Sequence, residues 1–206
     1  MTPLISLIEE YRSSYEVTWL QELRAYLTQR SKSLSALLSE EKIDGLTEKD
    51  LFHIFNGLVT VQPLDVVALV RTHGFEAVRE HLKNFLYGSA PLEERFDIIT
   101  ASFPEVPQLA FMEVATLAQP RKFCIWDEDA KRTIVYIGHR HMHGLEETAF
   151  GEKISGLDYV FAKLALNHLR EVLSAYMNNK MSFIDVYLFT RFAGNKIRGL
   201  QPSLRV

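Results

Sequence analysis

A single cysteine, Cys124, excludes an internal disulfide framework and any four-cysteine iron–sulfur centre. The fold must therefore rest on a hydrophobic core, and 206 residues of which 47% are hydrophobic are ample for one domain or two small subdomains. Cys124 itself lies between Phe123 and Ile125 and reads as a small buried hydrophobe rather than a nucleophile. Long apolar runs are also missing. No segment approaches the roughly 20 apolar residues of a membrane span. The opening MTPLISLIEE lacks the basic start of a secretory signal, so a cytoplasmic protein with no membrane partner is expected. Neither sign of charge dominates. Lys and Arg number 23 against 26 Asp and Glu, and the net charge of −3 leaves any attraction to nucleic acid to local patches. Strand-type alternation is brief and no repeat or low-complexity linker occurs, so the chain reads as all-α, with no cofactor implied.

Helical spacing places Leu4, Ile5, Ile8 and Tyr11 on one face, then Trp19, Leu20, Leu23, Tyr26 and Leu27 on a second, with a weaker continuation from Ser31 to Leu38. Gly45 breaks this region. Thr47-Glu48-Lys49-Asp50 predicts a capping box that opens a helix carrying Leu51, Phe52, Ile54, Phe55 and Leu58. Pro63 is expected to begin a short helix that Gly74 stops. Phe75 to Leu86 and Leu92 to Ser102 follow, the latter opened by Pro91. Asp158 to Met177 reads as the longest amphipathic helix, and Ser182, with Asp185 in the acid position of a capping box, starts a last helix running to about Gly194.

The stretch from Phe103 to Gly138, FPEVPQLAFMEVATLAQPRKFCIWDEDAKRTIVYIG, carries the spacing from which chemistry can be inferred. Ser102 and Pro107 are placed to begin a helix near Pro107. Leu109, Phe111, Met112, Ala115 and Leu117 form its apolar stripe until Pro120, and Phe123 to Trp126 connect it to Asp127. The Asp127 carboxylate is expected to cap a second helix through Arg132, Ile134, Val135 and Ile137, ending at Gly138.

This order resembles the core of the helix-hairpin-helix DNA glycosylase superfamily, the endonuclease III-like enzymes of base excision repair. The family's hairpin, Leu-Pro-Gly-Val-Gly, corresponds to Phe103-Pro104-Glu105-Val106-Pro107. At the family's spacing Asp127 falls on the catalytic aspartate, with Arg132 five and Gly138 eleven residues later, in register over 36 residues. Both hairpin glycines are replaced, by Glu105 and Pro107, and the lysine nucleophile of bifunctional members falls on Leu109, beside Gln108. The resemblance implies two helical subdomains with a cleft between them that grips double-stranded DNA. Residues 45–138 would form the central bundle, and 1–44 with 139–206 the second subdomain. It also implies a DNA-repair hydrolase that is monofunctional, cleaving the N-glycosidic bond without a lyase step, since leucine has no amine. The alternative on the same scaffold is a non-catalytic helical nucleic-acid-binding or protein-interaction module.

Asp127 is the matched catalytic residue, a carboxylate that would stabilise positive charge developing on the sugar, and the same side chain serves as a helix cap. Gln108, Phe123 and Trp126 are the candidate substrate contacts, with core packing as the other reading of the two aromatics. The altered hairpin offers little to a phosphate, because Pro107 has no N–H and Glu105 is anionic. Two basic patches remain as DNA contacts or as solvated faces: Arg121, Lys122, Lys131, Arg132 and Arg140, and then Arg191, Lys196, Arg198 and Arg205. His139, His141 and His143 alternate, which in an extended segment suits zinc or nickel, or else marks a surface loop or a phosphate contact.

Overall fold

The computed structural model describes residues 3–14, 17–138 and 145–200. Among them are ten α-helices: α1 (Pro3–Ser13), α2 (Thr18–Leu37), α3 (Glu48–Phe55), α4 (Val66–His73), α5 (Phe75–Tyr87), α6 (Leu92–Ser102), α7 (Gln108–Ala118), α8 (Glu128–Tyr136), α9 (Gly156–Tyr176) and α10 (Phe183–Leu200). The described residues contain no strand, in keeping with the all-α expectation. No helix among them is long and apolar enough to cross a membrane.

The centre of the fold is α7, where every residue from Ala110 to Ala118 is buried. A helix that is apolar on all sides belongs inside a core rather than on its surface. Its two buried polar side chains are satisfied internally: Thr116 donates to the Met112 carbonyl at 2.7 Å, and Glu113 accepts from the loop before α4. The C-terminal carbonyls of α7 also need donors. Ser31 of α2 donates to Leu117 O at 2.8 Å and Ser35 to Ala118 O at 2.7 Å. The weak amphipathicity from Ser31 to Leu38 thus has a cause, because serines occupy the face of α2 that meets the end of α7. Around this axis α2 packs along α7, α6 along α9, and α10 along α8, while the buried apolar side chains form one connected cluster.

Several helix ends differ from expectation. The capping box at Thr47 and Asp50 forms as expected. The short helix expected from Pro63 begins instead at Val66, because Asp65 accepts from Ala68 N at 2.9 Å and fixes the first turn there. Ser102 does not cap α7; it ends α6 and donates to Ile98 O, leaving Pro107 at the cap position. The long α9 starts two residues ahead of Asp158, which serves Ser155 in a capping box. Ser182 and Asp185 pair at the start of α10 as expected, but that helix runs past Gly194 to Leu200. Gly194 is an interior residue whose missing side chain makes room for α8: a methyl there would lie 2.3 Å from Asp129 Oδ1.

Gly156 serves the same purpose where α9 meets α6, since a methyl would lie 1.9 Å from the Glu93 carbonyl oxygen and the obstacle is backbone. Gly156→Ala is expected to destabilise the chain by about 1–3 kcal/mol. A urea titration should show a lower midpoint with an unchanged slope. A midpoint equal to that of the parent chain would mean that α6 and α9 separate without cost.

Candidate functional site

Asp127 is positioned by the connector that precedes it. Residues Phe123 to Trp126 are buried and lie outside any helix, so their backbone needs partners inside the protein. Tyr159 of α9 supplies both for Cys124: its hydroxyl donates to Cys124 O at 2.9 Å and accepts from Cys124 N at 3.3 Å. Trp126 Nε1 donates to Ala149 O at 2.6 Å, and its ring meets Phe150 edge-on. The connector is thereby pinned at two points. Cys124 is the buried hydrophobe expected, its thiol pushed up to about 12 by burial.

At the head of α8 the Asp127 carboxylate accepts from Ala130 N at 2.9 Å, the expected cap. It is only 7% exposed. Burial, with the charge of Asp129 adding to it, raises its pKa from the ordinary 3.8 to about 6, while the Ala130 hydrogen bond and Arg191 act against the rise. Arg191 Nη1 stands 3.9 Å from Asp127 Oδ2.

Beside Asp127 lies a cavity of about 260 Å³ whose wall includes Gln108, Leu109, Met112, Trp126, Lys131 and Ile154. The volume is smaller than the roughly 300–1,000 Å³ of drug-sized sites. Gln108 has its amide engaged: Nε2 donates to Ile154 O and Oε1 accepts from Ile154 N, both at 2.9 Å. That pairing ties the head of α7 to the segment before α9. Lys131 reaches across to Gly151 O at 2.5 Å. Phe123 faces elsewhere, packing on Phe85 and lining, with Arg95, Lys122 and Lys163, a separate cavity of about 340 Å³.

The basic residues divide in the same way. Arg132, Arg191 and Arg198 converge on the buried Asp129, with Arg191 Nη1 2.9 Å from Oδ2, Arg198 Nη1 3.0 Å from Oδ1 and Arg132 Nη1 3.4 Å from Oδ1. Arg121 and Lys122 are exposed in the turn after α7, and Lys196 pairs with Glu10 at 3.1 Å. Arg140, Arg205 and the three histidines His139, His141 and His143 lie outside the described residues.

Two acids that sequence reading passed over prove central. Asp129 joins α8 to α10 through partners 62 and 69 residues away, a distance no local pattern reports. Glu113 did carry a signal, as a lone acid within an apolar helical run. It is fully buried and accepts from Val59 N, Thr60 N and the Thr60 hydroxyl, and burial raises its pKa.

The turn between α6 and α7 is closed by Val106 N donating to Phe103 O at 3.0 Å, and Glu105 pairs with His73 at 2.6 Å. Compared with known proteins, the chain matches no family model, no curated protein and no solved structure.

Proposed function

We propose that this chain is a monofunctional DNA N-glycosylase of the helix-hairpin-helix type. The observation that carries the reading is that Asp127, at the head of α8, shares one cavity with Leu109 and Gln108, at the head of α7. Those are the positions that the resemblance assigns to the catalytic carboxylate and to the lysine nucleophile. In this reading an extruded base enters beside Trp126. Water attacks the sugar carbon as the glycosidic bond breaks, the base leaves with the bonding electrons, and Asp127 offsets the positive charge on the sugar and takes the water's proton. A carboxylate that is buried and proton-accepting near neutrality suits that task. Residues 45–138 would be one subdomain, and 1–44 with 139–206 the other, the DNA lying in the cleft between them. The packing of α1 and α2 against α10 draws the two ends of the chain together, while α2 on α7, α6 on α9 and α10 on α8 join the two parts through one connected core.

A non-catalytic module on the same scaffold is the second reading. It is favoured by the engagement of Asp127 with the Ala130 N–H and of Gln108 with the Ile154 backbone, which are structural duties. A panel of lesion-bearing duplexes separates the two. The glycosylase is expected to leave abasic sites that break only on alkali treatment, and borohydride is expected to trap no covalent complex, because Leu109 offers no amine. Intact strands after alkali for every lesion would favour the module. Trapping by borohydride would overturn monofunctional chemistry and direct attention to Lys131, the amine in the cavity wall.

A further inference from the structure

We infer that Asp129 organises a phosphate-binding array in which Arg132, Arg191 and Arg198 are held as one set of N–H donors for the phosphodiester backbone of duplex DNA. The choice of DNA rests on the glycosylase reading; the array itself rests on geometry. Asp129 is 1% exposed, and an isolated carboxylate there would be costly to ionise. It has three guanidiniums within 3.4 Å instead. Gly194 permits this approach, since a side chain at that position would fill the space of the Asp129 carboxylate. The three arginine side chains are 28%, 38% and 46% exposed, so one end of each is pinned while part of it meets solvent.

A guanidinium carries five N–H donors, and one shared carboxylate cannot engage all of those offered by three of them. Fixing the arginines in advance removes the entropy that flexible side chains would lose on gripping a phosphate. Asp127 at 3.9 Å from Arg191 and Glu128 at 3.7 Å from Arg132 also face the array, so three cations meet three acids. The attraction is therefore one of directed donors rather than of surplus charge. Its place is suitable, because Asp129 lies two residues beyond Asp127 and its arginines border the same helix head. The turn before α7 offers no competing grip: Pro107 has no N–H and Glu105 holds His73.

The array account and simple charge counting predict opposite signs for one substitution. Asp129→Asn makes the protein more positive by one charge, so charge alone strengthens binding to DNA. The array account expects binding to a short undamaged duplex, read by fluorescence anisotropy, to weaken about tenfold. Arg198→Lys, at an exposed position and with charge conserved, is expected to weaken binding severalfold with an unchanged circular-dichroism spectrum, and it decides the matter alone if Asp129→Asn fails to fold. Equal or tighter binding by Asp129→Asn, or parental affinity for Arg198→Lys, would overturn the array. Displacement of the duplex by inorganic pyrophosphate at equivalent phosphate concentration would overturn the assignment to DNA and give the array a small phosphate ligand. Because the duplex carries no lesion, the readout is independent of catalysis. Asp129-dependent binding without base release from any lesion overturns only the glycosylase reading, whereas base release with Asp129-independent binding overturns only the array.

Discussion

On the glycosylase proposal Asp127→Asn is expected to lower base release by roughly a hundred- to a thousandfold, and on any reading to raise the melting temperature. Both effects come from one property of the site. The folded chain holds the Asp127 proton up to about pH 6, whereas an ordinary aspartate releases it near 3.8, so folding takes up a proton between those values. The contribution of this group to stability is full below the lower value and is lost as pH rises through the upper one. At pH 7 the ionised carboxylate therefore costs about 3 kcal/mol relative to its protonated form, taking roughly 1.4 kcal/mol per unit. Asparagine removes that charge while its amide oxygen still accepts from Ala130 N, so the cap survives. A gain of several degrees follows for a chain of this size, at roughly 2–4 °C per kcal/mol. A melting temperature that falls would mean that Arg191 or the cap, and not burial, dominates at this residue.

Glu113→Ala should have the largest effect on stability, a loss of about 2–4 kcal/mol with the melting temperature falling by roughly 5–15 °C. The carboxylate holds the loop before α4 by accepting from two backbone N–H groups and one hydroxyl at 2.7–3.0 Å. Alanine leaves those donors without their acceptor and opens a void in the most buried helix of the fold. Val59 and Thr60 are not themselves buried, so water replaces part of what is lost. Amide hydrogen exchange should speed up selectively at Val59 and Thr60. Unchanged protection at those two amides would show that the loop is held by other contacts. Glu113→Gln, which retains one acceptor oxygen, is expected to fall between the two.

The helices were largely legible in the sequence because caps and periodicity are local. Thr47 with Asp50, Asp127 with the α8 first turn, and Ser182 with Asp185 all announce themselves within four residues. Two of the errors, at Gly194 and along the end of α2, share a long-range source, whereas the starts of α4 and α9 were set by the local caps of Asp65 and Ser155. Glycine reads locally as a stop, yet Gly194 lies inside α10 because Asp129, far away in the chain, needs the space its side chain would fill. Ser31 and Ser35 read as a weakening of α2, although they serve the carbonyls of α7. Gln108, Trp126, Asp127 and Lys131 border one cavity because α7 and α8 are joined by a short pinned connector, but Phe123 faces another cavity and Lys131 was assigned only to a basic patch. The arginines could be assigned only as a patch. Their meeting at Asp129 depends on how α8 crosses α10, which no spacing within either helix encodes.

The central claim is that the Asp127 carboxylate carries the chemistry, and single-turnover base release from a lesion duplex across pH 5 to 8 tests it most directly. A group that must be ionised to act gives a rate that rises tenfold per unit below its pKa and levels above it. The parent chain should therefore show a rate climbing through about pH 6 to a plateau, and Asp127→Asn a flat profile far below it. Profiles of the same height and shape for both proteins would place the chemistry on some other residue.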